Sequence, residues 1–335
     1  MRNHSIYELN GKKILLVLPK YFSYEITIMN CLKNRGANIY HIYENAEEIN
    51  YFYRLIYRYV PSKRDMVMNI YYDKFLSSLP SSIDFVFIIR GSSITSSTMN
   101  KIRNKYPKAY YVMYQWDSVK NNARAKEIAR YFDKVLTFDI VDAKQYGWEY
   151  RPLFFTEGIN NEKKDIDVSY ICSIHSERIQ ILNKLKDICN KKGIDLFTYV
   201  FSNKMIFFKR KYISHVPEYI IADKNDIKFV PLSTSATETI YKRSKVVVDY
   251  TNPNQTGFTM RTIECIGNRC KLITNNKEIL NADFYTPNNF YVYDGLDIAI
   301  PETFLNTEYQ EMDSSKLKFY SLDGWIDSIF LKKYI

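Results

Sequence analysis

Short, continuous apolar runs alternate with amphipathic segments along the whole of this 335-residue chain. The first run, residues 13–18, is bounded by Gly11 and Pro19 and is typical of a strand buried on both faces. Apolar residues at helical spacing follow in residues 24–34. A second apolar run at 38–43 completes a strand–helix–strand order, which predicts a right-handed parallel unit.

The same alternation continues through the rest of the chain. Further apolar runs predict strands at residues 84–90, 109–115, 134–138, 168–172, 196–201, 227–230, 246–250, 271–274 and 289–293. Amphipathic segments predict helices at residues 95–105, 121–131, 141–146, 177–190, 236–243 and 258–266. Residues 156–167 are polar and carry a charge run, which is typical of an interdomain linker. The tail, residues 321–335, has apolar residues at helical spacing and predicts a final helix.

This order of elements predicts an α/β protein with two domains. Strands that alternate with helices form parallel sheets covered on both faces, and the chain is long enough for two such domains with buried cores. We place the first domain at residues 1–157, the second at 158–320 and the final helix at 321–335.

Composition places the chain among globular proteins with a preference for anions. Hydrophobic residues make up 46% and charged residues 25%, as in folded domains. The 47 Lys and Arg exceed the 37 Asp and Glu, which gives a formal net charge of +10. A positive field favours nucleotide-sugars, anionic acceptors, anionic lipid surfaces or nucleic acid, and charge alone does not choose among them.

Cysteine and histidine usage predicts a reduced protein without a metal site. The five cysteines show no CxxC spacing, and the chain has four histidines. No apolar stretch precedes Ile14, so a cleaved signal peptide is not expected, and no apolar run reaches the length that spans a bilayer. We therefore expect a cytoplasmic protein.

Two segments interleave basic residues with large apolar ones. Residues 50–64 combine arginines with tyrosines, which suits either a helix whose arginine stems lie over aromatic core residues or a membrane-surface patch. Residues 203–212 place Lys and Arg around Ile206, Phe207 and Phe208, as either a solvated basic loop or a second membrane-facing segment. Both segments leave a peripheral contact with a membrane open.

The most informative chemical signal is the segment 256–276. Gly257 stands where an apolar strand passes into a helix, and the free backbone N–H groups and dipole of a helix N-terminus attract phosphate. Arg261 and Glu264 share a helix face with this glycine. An arginine can neutralise a diphosphate, and a carboxylate can accept from both hydroxyls of a ribose. The segment predicts a nucleotide-diphosphate site, with a surface ion pair as the alternative.

Two carboxylates follow predicted strands of the first half. Asp117 comes just after residues 109–115, and Asp139 just after residues 134–138. Ligands of open α/β sheets bind outside the carboxyl ends of the strands, where a general base would act on them. Asp117 is the first candidate for a catalytic base and Asp139 the second. The alternative for Asp117 is the N-cap of the helix that follows it.

The segment around Gly257 resembles the donor-site motif of bacterial glycosyltransferases with the GT-B architecture. These enzymes carry a QxGxTxRxxE-like segment, matched here by Gln255, Gly257, Thr259, Arg261 and Glu264. The resemblance is to the spore-maturation-protein-like transferases and their relatives in lipopolysaccharide and capsule biosynthesis. It implies a GT-B-like α/β fold of two Rossmann-like parallel-sheet domains facing a central cleft, with the C-terminal helix crossing back to the first domain.

The resemblance also implies which residues meet the ligands. The first domain would hold the acceptor and the second the nucleotide-sugar, with the nucleobase in the loop around Leu232. The loop around His175 would face the donor diphosphate, and a local hydrogen bond is the alternative role of that histidine. Thr256 stands where many retaining members carry a second glutamate, so the resemblance does not fix the stereochemistry. The implied donor-binding residues are Ser173, His175, Arg178, Leu232, Gln255, Gly257, Phe258, Thr259, Arg261 and Glu264.

Together these observations predict a nucleotide-sugar-dependent glycosyltransferase without cofactor or metal. Backbone N–H groups and Arg261 would stabilise the departing nucleotide. Its partners would be a nucleotide-sugar donor and a lipopolysaccharide, capsule or other surface-glycan acceptor, free or lipid-linked, but no nucleic acid. The cytoplasmic face of the inner membrane is the alternative location. Two other classes remain open, a nucleic-acid-binding protein, which the net charge favours, and a non-catalytic bilobed protein that binds nucleotide or sugar.

Overall fold

The structure, a computed structural model, describes residues 9–20, 23–44, 51–156, 162–252 and 256–330. The chain divides into two units, one formed by Met1–Pro152 and Leu322–Ile335, the other by Leu153–Ser321. The sequence places the corresponding boundaries at 157/158 and 320/321. Residues 157–161 of the predicted linker lie outside the described part of the chain.

The first unit is built on a six-stranded parallel sheet. Its strands are β1 (Lys13–Leu18), β2 (Asn38–Tyr43), β3 (Phe85–Ile89), β4 (Tyr110–Gln115), β5 (Lys134–Thr137) and β6 (Glu149–Tyr150). They lie in the order β2-β1-β3-β4-β5-β6, and every neighbouring pair is parallel. The helices are α1 (Tyr24–Asn34), α2 (Tyr51–Tyr59), α3 (Arg64–Ser77), α4 (Ser96–Lys105), α5 (Arg124–Ile128) and α6 (Ile140–Tyr146).

Apolar runs become strands of this sheet because helices cover its faces. Leu15 and Val17 of β1 are buried and belong to one hydrophobic core with side chains of α3 and α4. Tyr72 of α3 and Met99 of α4 are fully buried in that core. A strand enclosed in this way carries apolar residues at successive positions, as the sequence shows.

The C-terminal helix α14 (Leu322–Phe330) belongs to the first unit, as predicted. The Trp325 ring is fully buried and packs edge-on against Tyr114 of β4, with ring centroids 4.8 Å apart. Arg35, which follows α1, donates to the Asp327 carboxylate at 2.5 Å, and both side chains are buried. An aromatic contact thus joins this helix to β4, and a buried ion pair joins it to the end of α1.

The second unit repeats the plan with another six-stranded parallel sheet. Its strands are β7 (Ile166–Ser173), β8 (Leu196–Phe201), β9 (Ile227–Lys228), β10 (Ser244–Asp249), β11 (Lys271–Thr274) and β12 (Phe290–Val292). They lie in the order β12-β11-β10-β7-β8-β9. The helices are α7 (Arg178–Lys192), α8 (Lys204–Phe208), α9 (Pro217–Ile220), α10 (Thr234–Arg243), α11 (Met260–Gly267), α12 (Glu302–Asn306) and α13 (Ser314–Tyr320).

The predicted fold class is confirmed, since both halves form parallel sheets with flanking helices. Helices α3, α8, α9, α12 and α13 were not predicted. The helix expected at residues 121–131 begins only at Arg124. Across the described ranges, no helix combines the length and apolar character needed to cross a membrane.

Each sheet has one point at which the winding of the chain reverses. In the first sheet β2 lies on one side of β1 and the later strands on the other, so the reversal falls between β1 and β3. In the second sheet it falls between β7 and β10. Ligands of such sheets bind outside the carboxyl ends of the strands at this switch point. Charged side chains lie at the switch points of both sheets.

Candidate functional site

A half-buried arginine connects the two strands at the switch point of the second sheet. Arg261 of α11 donates through Nη2 to the carbonyl oxygen of Ile171 in β7 at 2.6 Å. Its Nη1 donates to the carboxylate of Asp249 at the end of β10, and its Nε to the hydroxyl oxygen of Tyr241 in α10 at 3.0 Å. Asp249 therefore compensates the positive charge of Arg261, the residue that the sequence predicts to bind a diphosphate.

Helix α11 begins just after Gly257, close to the predicted position. Its N-cap is Thr259, whose Oγ1 accepts from the backbone N–H of Thr262 at 3.2 Å and donates to the Asp249 carboxylate at 2.9 Å. The side-chain amide of Asn276 donates to the carbonyl oxygen of Gly257 at 3.3 Å. One buried carboxylate thus holds both the cap of this helix and its arginine.

His175 lies in the loop between β7 and α7, close to two arginines. Burial, followed by the positive charges of Arg178 and Arg261, lowers the pKa of His175 to about 4. Its Nδ1 lies 3.2 Å from Oγ of Ser176, so the predicted local hydrogen bond is present. Ser176 has a φ of 51°, in the left-handed region that residues with a side chain rarely adopt. A neutral imidazole beside two cations makes this loop an environment suited to an anion.

Arg178 is the first residue of α7 and has unused hydrogen-bonding capacity. Its Nη2 donates to the carbonyl oxygen of Tyr250 at 3.2 Å, whereas its Nε is buried and has no hydrogen-bond partner within the described ranges. The Tyr250 hydroxyl donates to the carboxylate of Glu177, the residue that precedes α7. A buried N–H without an acceptor is rare in folded proteins, so this is a place where a ligand oxygen would be stabilised.

Glu264 lies on α11 near Arg261, as their spacing predicts. Its side chain is buried. Burial and the negative charge of Glu264 raise the pKa of Tyr241, and the positive charge of Arg261 lowers it. The carboxylate, the guanidinium and the phenol are therefore neighbours.

The other predicted donor-side residues are placed as follows. Ser173 is the last residue of β7 and leads into the loop that carries His175. The Phe258 ring is buried in the core against Phe284, with ring centroids 5.0 Å apart. Leu232 is half-buried in the connection that leads to α10. Gln255 lies outside the described residues.

Asp117, the first candidate for a catalytic base, lies in the first unit and closes a turn. Its Oδ1 accepts from the backbone N–H of Ser118 at 3.1 Å and from the side-chain amide of Asn121 at 3.0 Å. Because α5 begins at Arg124, the carboxylate does not cap that helix, contrary to the alternative drawn from the sequence. Asp117 is half-buried.

Asp139, the second candidate, is the N-cap of α6. Its Oδ1 accepts from the backbone N–H groups of Val141 at 2.9 Å and Asp142 at 3.1 Å, and the side chain is buried. Burial raises the pKa of Asp142, the hydrogen bond from Val119 lowers it, and the negative charges of Asp139 and Asp117 raise it again. The two candidate carboxylates therefore flank a third.

Asp249 is the residue of this site that was not predicted from the sequence. It is fully buried and also accepts from the hydroxyl of Thr251 at 3.2 Å. Its position in the sequence is the signal that could have identified it, because this carboxylate directly follows the apolar run 246–248. A carboxylate buried at the end of such a strand requires a cation or several donors, and Arg261 follows twelve residues later.

Cysteine, histidine and carboxylate side chains form no metal site in the part of the chain that the structure describes. All five cysteines are free, and Cys172, Cys189, Cys265 and Cys270 are buried. In these ranges no group of three or more His, Cys, Asp and Glu side chains is placed to hold a metal ion.

The two parallel sheets and the returning C-terminal helix define an α/β protein of the GT-B type. Its fold is similar to that of Anabaena HepE (Alr3699) in complex with UDP and glucose, with 10% identity, 95% of this chain and 98% of that chain covered, and a TM-score of 0.55. No protein-family model and no curated protein sequence matches the chain.

Two further solved structures are similar over most of their length. A glycosyltransferase from Rickettsia africae has 12% identity, with 96% of this chain and 94% of that chain covered and a TM-score of 0.46. A Listeria monocytogenes protein assigned as a UDP-N-acetylglucosamine 2-epimerase has 9% identity, with 96% and 91% covered and a TM-score of 0.48. At such identities the likeness establishes a fold alone.

Proposed function

We propose that the protein is a glycosyltransferase whose second unit binds a nucleotide-sugar donor. The observation that carries this proposal is the cluster of Arg178, His175 and Arg261 at the switch point of the second sheet. The fold shared with HepE, whose structure holds UDP and glucose, supports a ligand of the same class.

The donor diphosphate would lie against the N-terminus of α7. The first N–H groups of a helix have no partner within it, and the helix dipole favours negative charge there. Arg178 adds a buried Nε at the same place, and none of the described residues supplies an acceptor for it. Within the described residues Arg261 makes three hydrogen bonds to protein groups, and a guanidinium has five donors, so two donors remain for a ligand. These groups would stabilise the charge that develops as the nucleotide leaves.

A divalent metal would be unnecessary in this arrangement. Arg178 and the N-terminus of α7, with the remaining donors of Arg261, can stabilise the leaving diphosphate as a metal ion does in other transferases. We expect turnover to persist in excess EDTA. Activity that disappears with EDTA and returns with Mg²⁺ or Mn²⁺ would contradict this part of the proposal.

The acceptor would be a surface glycan, of lipopolysaccharide, capsule or another kind, held by the first unit. If the reaction inverts configuration, a carboxylate must take the proton of the acceptor hydroxyl. Asp117 is the first choice because it is half-buried, whereas Asp139 is buried as a helix cap. Asp117→Asn should abolish transfer and leave UDP affinity unchanged. A near wild-type rate would place the base elsewhere.

A lipid-linked acceptor fits the exposed face of α2. Tyr51, Phe52 and Tyr59 are 72%, 63% and 68% exposed, and the exposed Arg54 and Arg58 lie between them. Aromatic rings interleaved with cations suit an anionic lipid interface, so we place the enzyme at the cytoplasmic face of the inner membrane. Flotation with phosphatidylglycerol vesicles should recover the protein, and phosphatidylcholine vesicles should recover less. Equal recovery, or none, would contradict this placement.

Isothermal titration calorimetry with UDP tests the donor site. Arg178→Gln removes the buried Nε–H, and the loss of one charge-assisted hydrogen bond should weaken binding about tenfold or more. Arg243→Gln is the matched control, because this arginine pairs with Asp165 at an exposed position, and its UDP affinity should equal that of the wild type. Equal affinity in both variants would contradict the site.

Two further measurements test the activity itself. Slow hydrolysis of UDP-sugars by the wild type would distinguish a transferase from a binding protein without catalysis. GDP, CDP and dTDP are titrated beside UDP, and failure of all four nucleotides to bind would contradict the proposed function.

A further inference from the structure

Glu44 and Arg90 face each other across the switch point of the first sheet. Glu44 follows β2 and continues its pairing with β1, because its N–H donates to the carbonyl oxygen of Leu18 at 2.8 Å. Arg90 follows β3, on the other side of β1, and its Nε lies 3.8 Å from Oε1 of Glu44. The pair therefore occupies the place where α/β sheets bind ligands.

Glu44 is a buried carboxylate with one oxygen in use. Its Oε1 accepts from the backbone N–H of Ser92 at 2.6 Å and from the hydroxyl of the same serine. Its Oε2 is buried as well and has no hydrogen-bond partner among the residues that the structure describes. Burial raises the pKa of Glu44, and Arg90 and Ser92 partly offset that effect. An oxygen of this kind is unfavourable in a folded protein unless a donor reaches it.

Arg90 combines a strained backbone with a buried Nε for which the described part of the chain offers no hydrogen-bond partner. Its φ is 70°, in the left-handed region that side chains disfavour. Gln115 and Asn122 hold this conformation, because their side-chain amides donate to the Arg90 carbonyl oxygen at 2.8 and 2.9 Å. Such strain persists where surrounding contacts enforce it and is concentrated at functional sites. The Arg90 side chain is 32% exposed, whereas that of Glu44 is fully buried.

The pair lacks one donor and one acceptor. A hydroxyl supplies both, since its proton can go to Oε2 of Glu44 while its oxygen accepts from Nε of Arg90. A phosphate or carboxylate would satisfy Arg90 alone and would bring a second negative charge against Glu44. We propose that Glu44 and Arg90 bind a hydroxyl group of the acceptor sugar. This assignment rests on the proposed function, because a transferase must hold the molecule that receives its sugar.

Access to this subsite requires a movement of Arg90. Oε2 of Glu44 is shielded from solvent, whereas the guanidinium opposite it is partly exposed. A rotation of the arginine side chain would admit the hydroxyl and then return Nε to it. The turn itself stays in place, because the hydrogen bonds of Ser92, Gln115 and Asn122 do not involve the guanidinium.

Crystals soaked in concentrated glycerol test this subsite, because glycerol carries the hydroxyl chemistry of a sugar in a small molecule. We expect a glycerol hydroxyl within hydrogen-bond distance of both Oε2 of Glu44 and Nε of Arg90. Glu44→Gln keeps an oxygen for Ser92 and replaces Oε2 by an amide donor, so the glycerol should be lost. Arg90→Met, which removes the donor and its positive charge, should also lose it. Asp73→Asn removes an exposed carboxylate paired with Lys101 and should keep it.

The outcomes separate the subsite from the proposed function. Glycerol retained in Glu44→Gln and Arg90→Met is an adventitious additive and overturns the subsite. The subsite is also overturned if, in the wild-type crystal, Arg90 donates a hydrogen bond to Glu44 and neither glycerol nor water contacts Oε2. UDP calorimetry on the same variants should show wild-type affinity. If the wild type binds glycerol at Glu44 but binds no nucleotide, the subsite is supported and the proposed glycosyltransferase function is contradicted.

Discussion

Arg261 of α11 and Asp249 of β10 form an ion pair at the carboxyl edge of the second sheet. The aspartate is fully buried, and the arginine side chain is 15% exposed. The same guanidinium donates to Ile171, so one side chain connects β10 with β7 where the winding reverses. Removal of one partner from a buried pair leaves a charge without compensation. The pair therefore has a structural role apart from any ligand.

Arg261→Met should destabilise the second unit by about 3 kcal/mol or more, because it leaves Asp249 buried and unpaired. Urea unfolding should be followed by far-UV circular dichroism, since Trp116, Trp148 and Trp325 all belong to the first unit. Arg243→Met is the control and should lose less than about 1 kcal/mol, because its ion pair is exposed. A variant at Arg261 as stable as this control would show that the Asp249 charge is accommodated by its hydroxyl donors alone.

Much of the fold could be predicted because strands enclosed on both faces are continuous apolar runs. Helix α3 could not. Its apolar residues lie on every side, with Met66 and Ile70 exposed while Val67 and Tyr72 are buried. A sequence of this kind lacks the contrast between two faces that marks an amphipathic helix.

The candidate site could be predicted only where its residues are close in sequence. Gly257, Arg261 and Glu264 fall within one strand–helix junction, so their spacing places them together. The contacts that Arg261 makes with Asp249 and Ile171 depend on β10 lying beside β7. The contact between Glu44 and Arg90 depends on β1 lying between β2 and β3. Strand order follows from packing of the whole sheet, and no local pattern encodes it.

Acidification should weaken the second unit through His175. Its pKa is about 4 in the folded protein and 6.5 ordinarily, because of burial and the charges of Arg178 and Arg261, with Asp249 acting in the opposite direction. Between these values the unfolded chain binds a proton that the folded chain does not. Stability is therefore complete above the ordinary pKa and is lost as pH falls toward 4.

The free energy of unfolding in urea at about pH 7.5 and about pH 5 measures this effect. His175→Gln should lose less stability than the wild type on acidification, because glutamine does not titrate. His41→Gln changes an exposed histidine of β2 and should follow the wild type. An equal loss in the His175 variant and the wild type would assign the acid sensitivity to other groups.

Lys271 of β11 holds the end of α12. Its Nζ donates to three carbonyl oxygens, those of Phe304 at 2.5 Å, Leu305 at 3.0 Å and Thr307 at 2.6 Å. Burial lowers the pKa of Lys271 to about 8. Lys271→Met removes every one of these donors from carbonyls at a helix end, so we expect a loss of about 2–4 kcal/mol in urea unfolding. Lys277→Met, at an exposed ion pair, should change stability by less than about 1 kcal/mol.

Glu264 offers a test of the predicted ribose contact that uses two ligands. Glu264→Gln should weaken UDP binding roughly 10- to 100-fold, because a hydrogen bond to a charged acceptor contributes about 1.5–3 kcal/mol. 2′-Deoxy-UDP lacks one of the two hydroxyls, so it should bind the wild type more weakly than UDP. The variant should discriminate less between the two ligands, since the charged acceptor has gone.

Calorimetry of both ligands with both proteins completes this test of the ribose contact. Glu302→Gln, an exposed glutamate of α12, should keep the wild-type preference for UDP. Glu264 is buried on α11, so a general loss of packing would weaken both ligands by the same factor and preserve their ratio. A preserved ratio in Glu264→Gln would therefore assign this carboxylate to the architecture of α11, and a reduced ratio would assign it to the ribose.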